Sequence, residues 1–168
     1  MDDDEITVTG RSSSQRLIDT SAALLCYHPH TKIVHHEFRR FVHGPEFREV
    51  LERGLGLLRQ HGASKWLSDD RGNGPLKPAD AEWSLTDWAP RATAAGWKYW
   101  AVVLPLKILG QMNMNRWIAN SASQGVTAEA FTDPGKAKRW LEAQADDRGE
   151  SSSVVLARSL PKASSGRR

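Results

Sequence analysis

The chain has 168 residues, 39% apolar and 26% charged, with a net charge of +3 and one cysteine, Cys26. That length fits one domain, an intramolecular disulfide is excluded, and no stretch approaches the roughly 18 consecutive apolar residues of a membrane span. The charge is uneven: the first five residues hold four acids, whereas residues 151–168 hold four bases and no acid. The middle is therefore near balance and lacks the basic stripe that a nucleic-acid-binding core carries on a structured face. Met1-Asp2-Asp3-Asp4-Glu5 is acidic where a secretory signal is basic and then apolar, so the cytoplasm is the expected compartment.

Residues 1–16 are polar, acidic and then Ser-rich, and are read as a disordered tail. Residues 22–27 form a short apolar run broken by His28-Pro29-His30. Residues 31–41 follow with Ile33, His35, Glu37 and Arg39 on one face and Val34, His36 and Phe38 on the other. Together they predict a β-hairpin, because proline suits the turn and not a central ladder. Gly44-Pro45 opens a helix with proline at its first position. Phe47, Val50, Leu51, Gly54, Leu55 and Leu58 recur at helical spacing as its buried stripe, and Gly62 ends it.

A strand is predicted over 63–67, followed by a polar loop from Ser68 to Gly74. The next helix spans 78–95, with Leu85, Trp88, Ala92 and Ala95 on one face and a kink at Pro90, which deletes a backbone bond. Residues 99–104 are continuously apolar, the mark of a strand covered on both faces. A helix over 106–123, a strand over 126–131, and a helix capped by Asp133-Pro134 complete the order β-β-α-β-α-β-α-β-α. Such an order implies an α/β fold, a mixed and largely parallel sheet flanked by helices. The domain would occupy 17–145, leaving 146–168 as a flexible Ser/Arg-rich tail.

His35-His36-Glu37-Phe38, Gly44-Pro45-Glu46-Phe47-Arg48, Lys65-Trp66-Leu67-Ser68-Asp69-Asp70-Arg71 and Gly96-Trp97-Lys98-Tyr99-Trp100-Ala101 carry a resemblance. Over about residues 20–145 the chain resembles small bacterial proteins known as STAS/SEC14 domain-containing, with a SpoIIAA-like fold. The resemblance implies a sheet flanked by helices, in agreement with the element order. STAS regulators of the anti-sigma-factor-antagonist type place a phosphorylatable serine in an Asp-Ser-Gly-like turn. Here the corresponding run is Ser68-Asp69-Asp70-Arg71-Gly72, so that switch does not transfer. Lipid carriage of the SEC14 type needs a deeper apolar pocket than about 125 residues comfortably supply.

The loop after the third predicted strand is the leading ligand site, because open α/β sheets bind at the carboxyl ends of interior strands. Ser68, Asp69 and Asp70 would line it, Arg71 and Arg91 would clamp an anion, and Asn113 would add an amide from the amide-rich run 111–115. The bland alternative has one aspartate capping a turn and the other pairing with an arginine. Tryptophan is the odd feature of the composition, with seven residues. Trp88, Trp117 and Trp140 fall on core faces, whereas Trp83 and Trp97 fall off them and are the partner-contact candidates. Adjacent strand residues point apart, so His35 and His36 cannot share an ion, while His28 and His30 could share a face. No zinc motif completes a site, and no metal or cofactor is expected. Cys26 in an apolar strand reads as an inert, buried thiol.

No nucleotide-binding or hydrolase signature occurs. The leading expectation is a non-catalytic STAS-like regulatory or binding module for a protein partner, open also to a small anionic ligand. The alternative is a small enzyme using Asp69 and Asp70 as an acid/base pair, and a structural homodimer is the third reading.

Overall fold

The computed structural model describes residues 13–106 and 114–146, with side chains omitted for 114–118. It is a mixed α/β fold. Strands β1 (Gln15–Asp19), β2 (Ala23–His28), β3 (Ile33–Phe38), β4 (Lys65–Asp69), β5 (Tyr99–Val103) and β6 (Thr127–Phe131) form one six-stranded sheet in sequential order. The β1–β2 and β2–β3 pairs are antiparallel, and every later pair is parallel. Helix α1 (Gly44–His61) joins β3 to β4. Next come α2 (Pro78–Trp83), a widened turn (Ser84–Trp88) and α3 (Ala89–Ala94), then α4 (Met114–Ser123) before β6 and α5 (Pro134–Glu142) after it.

Each parallel step moves to the next strand in the same direction, and right-handed crossovers then put the connecting helices on one face. The core divides accordingly. On the crossover face Leu25, Val34, Phe38 and Trp66 of the sheet pack with Leu51, Leu55, Leu58, Trp88 and Ala92 of the helices. On the other face Ile33, Leu67, Ala101 and Val103 pack against Ala137 and Leu141 of α5. Among the described residues, no helix is long and apolar enough to cross a membrane.

Helix α1 follows its sequence pattern closely. Its buried residues are Phe47, Val50, Leu51, Gly54, Leu55, Leu57 and Leu58. Gly62 turns left-handed at φ 59°, its N–H donating to the Leu58 carbonyl, a conformation open to glycine at little cost. At the other end Asp80, 2% exposed, accepts the Gly44 N–H at 2.7 Å and Arg48 Nε at 3.2 Å, tying the start of α1 to α2. Asp80→Ala should therefore cost about 2 kcal/mol, since it strands a backbone donor and a guanidinium. Asp87→Ala, which removes only a solvent-exposed partner of Arg91, should stay within about 1 kcal/mol when both variants are unfolded in urea.

Three boundaries differ from expectation. Strand β1 starts at Gln15, inside the span read as a tail. It is an edge strand of Gln15-Arg16-Leu17-Ile18-Asp19 with a register break between Arg16 and Ile18, so it shows no apolar alternation. Its order comes from the ladder and from Asp19, which accepts Arg16 and Arg39 Nη1, each at 2.8 Å. Strand β4 runs two residues later than predicted, through Ser68 and Asp69, whose polar side chains find partners inside the fold. In the 78–95 segment Pro90 lacks a donor and its ring crowds the Thr86 carbonyl, and the helix responds by widening over Ser84–Trp88. That widening turns Leu85 outward, to 39% exposed, while Trp88 and Ala92 stay buried. The residues of both termini, and the 107–113 part of the predicted 106–123 helix, lie outside the described residues.

Candidate functional site

Strands β4 and β5 lie inside the sheet and end together at Asp69 and Val103, and the Asp70 N–H still bonds the Val103 carbonyl at 2.9 Å. On the crossover face this pair presents Trp66 and Ser68 beside Trp100 and Val102. Trp66 is 1% exposed and donates its indole N–H to His36 Nδ1 at 3.0 Å, while His36 Nε2 meets Asp70 Oδ1 at 3.1 Å. An indole nitrogen only donates, so His36 Nδ1 carries the lone pair and the ring proton sits on Nε2, donating to the Asp70 carboxylate. Trp100 donates to Ser68 Oγ at 2.9 Å, and Trp88 to the Leu51 carbonyl at 3.0 Å.

The indoles meet edge to face in series. Ring centres are 5.1 Å apart for Trp66–Trp88, 5.2 Å for Trp88–Trp97 and 5.6 Å for Trp97–Trp100. These four rings line a cavity of about 150 Å³, with His36, Ser68 and Asp70 as polar groups in its wall and Ala128 and Ala130 contributed by β6. Trp97 is 5% exposed, and its N–H has no hydrogen-bond partner among the described residues. The loop after Asp70 is fixed to the end of β3. Asn73 Oδ1 accepts the N–H groups of Val42 and Gly74 at 2.9 and 3.0 Å. A Cβ on Gly72 would lie 2.3 Å from the Phe38 carbonyl oxygen, so only glycine permits that approach.

No protein-family model, curated protein or solved structure matches this chain. What the site can do follows from its own geometry.

The residues predicted as one ligand site separate. Ser68 and Asp70 reach the cavity, but Asp69 points to the opposite face, is 4% exposed, and is held by Arg71 through Nε at 2.9 Å and Nη2 at 2.8 Å. That pairing raises the pKa of the Arg71 guanidinium. Arg91 is likewise committed, bonded to Glu52 of α1 and to Asp87. With Asp69 buried against Arg71 and Arg91 paired to Glu52 and Asp87, these residues form neither a solvent-open carboxylate pair nor an arginine clamp. Asn113 and most of the amide run 111–115 lie outside the described residues, as does the Trp117 side chain.

The two partner-contact tryptophans are also placed differently. Trp97 sits between Trp88 and Trp100, because the turn from α3 into β5 folds its ring under the helix instead of outward. Trp83 is half-buried, edge-on to Phe47 at 6.4 Å and covered by the Arg48 guanidinium at 5.1 Å. His36 was not singled out from sequence as a cavity residue. Its signal was its alternation with Phe38 on one face of β3, opposite the Trp66 strand.

On the sheet's other face His35 lies with Cys26 and His28, and His30 is exposed, so His28 is joined by His35 and not by His30. Burial pushes the Cys26 thiol up to about 11 and His35 down to about 4, and it lowers His28 as well.

Proposed function

We propose that this chain is a non-catalytic binding module, as its STAS-like resemblance implies, whose ligand is a small, neutral, largely apolar ring or short chain. The observation that carries this reading is a largely apolar cavity walled by four tryptophans, with His36, Ser68 and Asp70 among its few polar groups. Size sets the class of ligand. An apolar cavity of about 150 Å³ takes a guest the size of benzene, far smaller than a whole phospholipid. Charge narrows it further. Arg71 and Arg91 are both paired, so a neutral guest is favoured over the anionic ligand expected from sequence. The platform for a protein partner loses support with Trp97 buried and Trp83 covered. The acid/base reading loses support because Asp69 and Asp70 lie on opposite sides of the sheet, and both His36 nitrogens are engaged.

The test is a panel of benzene, indole, phenol and acetophenone against octanoate and inorganic phosphate, read by melting temperature and tryptophan fluorescence. A ligand at 100 times its Kd should stabilise the protein by about 2.7 kcal/mol. Ala128→Phe, which fills the cavity from β6, should abolish binding while the protein stays folded. A panel without a single shift, or binding left unchanged by Ala128→Phe, would defeat the reading.

A further inference from the structure

Cys26 and His35 are direct partners across the β2–β3 ladder, and His28 follows Cys26 by two residues on the same strand. Strand alternation therefore aims all three side chains from the face that α5 covers farther along the sheet. Cys26 Sγ lies 3.6 Å from His28 Nε2 and 3.8 Å from His35 Nδ1, and the two nitrogens are 3.2 Å apart. In a tetrahedral zinc site, bond lengths of about 2.0–2.1 Å to nitrogen and about 2.3 Å to sulfur place donor atoms about 3.3 Å (N to N) and about 3.6 Å (N to S) apart. The three observed edges reproduce one face of that tetrahedron to within about 0.2 Å. Hydrogen bonding alone accounts for the triangle poorly. A thiol is a weak donor and acceptor, and each neutral imidazole has a single N–H to give.

We propose that Cys26, His28 and His35 form a three-ligand site for a zinc-class divalent cation, with the fourth position left to water or another exogenous ligand. The donor set is a thiolate and two imidazoles, which suits a borderline-soft ion and not magnesium or calcium. Binding replaces the thiol S–H bond by a sulfur–metal bond, and the proton leaves to solvent. Cys26 is 3% exposed and His28 is half-buried, so the ion enters past His28. This site is separate from the tryptophan cavity, because His35 and His36 leave β3 on opposite faces and the sheet lies between them.

Untagged full-length protein, freed of metal by chelator and titrated first with Co²⁺ and then with Zn²⁺, tests the site. One equivalent of Co²⁺ should produce a thiolate-to-cobalt charge-transfer band and tetrahedral d–d bands, both erased by one equivalent of Zn²⁺. Cys26→Ser should remove the charge-transfer band. His28→Ala and His35→Ala should each weaken binding at least tenfold, while His30→Ala and His43→Ala, at exposed positions, should leave it unchanged. His28→Ala lies at the rim of the site, so it remains informative if a buried variant fails to fold. No charge-transfer band in the wild-type protein, or wild-type affinity in His28→Ala and His35→Ala, would overturn the proposal.

Discussion

Gly54→Ala should destabilise the protein by about 3 kcal/mol, whereas Gly56→Ala, two residues along the same helix, should stabilise it by about 0.5–1 kcal/mol. Both glycines lie inside α1, where alanine is intrinsically the better helix former. Propensity alone therefore gives both substitutions the same sign. Packing reverses one of them. A Cβ on Gly54 would stand 2.2 Å from Trp66 Cη2 and 2.9 Å from each of Cζ2 and Cζ3, while a Cβ on Gly56 meets nothing within 4 Å. Carbon atoms in contact prefer about 3.5–4.0 Å, so the Trp66 ring would have to move by more than an ångström. It has little freedom to do so, being edge-on to Trp88 at 5.1 Å and bonded through its N–H to His36. Thermal melts should show Gly54→Ala lower by roughly 10 °C and Gly56→Ala higher by a few degrees. Equal shifts of one sign would mean that α1 does not close on Trp66 in this way.

Gly54 also shows how the sequence carries the fold in some places and hides it in others. Its place on the stripe of α1 was legible, because Phe47, Val50, Leu51, Leu55 and Leu58 repeat on one helical face and Gly62 supplies the stop. The reason for a glycine on that stripe was not, since the Trp66 ring arrives from a strand formed later in the chain. The hairpin was legible from Pro29, but its register was not. A one-residue slip would have put His36 in place of His35 opposite Cys26, and with it the cysteine–histidine cluster would vanish. Ser68 and Asp69 looked like loop residues because polarity marks loops statistically. Inside the sheet their polar atoms are satisfied by Trp100 and Arg71, partners that no local pattern announces. Strand β1 escaped notice for the complementary reason. It is an edge strand whose Leu17 is 38% exposed, held by backbone pairing that any residue can make.

The two faces of the sheet divide the chemistry that these contacts assemble. The crossover face holds aromatic rings whose N–H groups reach His36, Ser68 and the Leu51 carbonyl, while the Trp97 N–H has no partner among the described residues. The charged side chains buried within the sheet itself lie on the α5 face. Asp69 is bound by Arg71, and Lys65, only 2% exposed, meets Asp146 at 3.0 Å. The proposed neutral guest and the proposed cation would therefore sit on opposite faces of the sheet, and the two occupancies need not compete.

Trp66→Phe should cost about 2–3 kcal/mol, and most of that cost should disappear when His36 is already leucine. The substitution removes one ring's worth of buried contacts, a loss of the kind that makes large-to-small core changes expensive. It also strands His36 Nδ1, an acceptor on a residue 3% exposed, and leaving such a group unsatisfied costs about 1–3 kcal/mol. In the His36→Leu background the penalty falls on the other partner, because the Trp66 N–H then lacks an acceptor. Replacing Trp66 by phenylalanine there relieves an orphaned donor instead of creating an orphaned acceptor. A double-mutant cycle in urea should therefore return a coupling of about 1–2 kcal/mol, well beyond the few tenths that independent sites show. The same bond fixes the His36 proton on Nε2, so long-range proton–nitrogen spectra of the wild type should report that tautomer, and Trp66→Phe should release it. Additive energies together with an unchanged tautomer would mean that the indole does not hold His36, and the polar wall of the cavity would then have no fixed orientation toward Asp70.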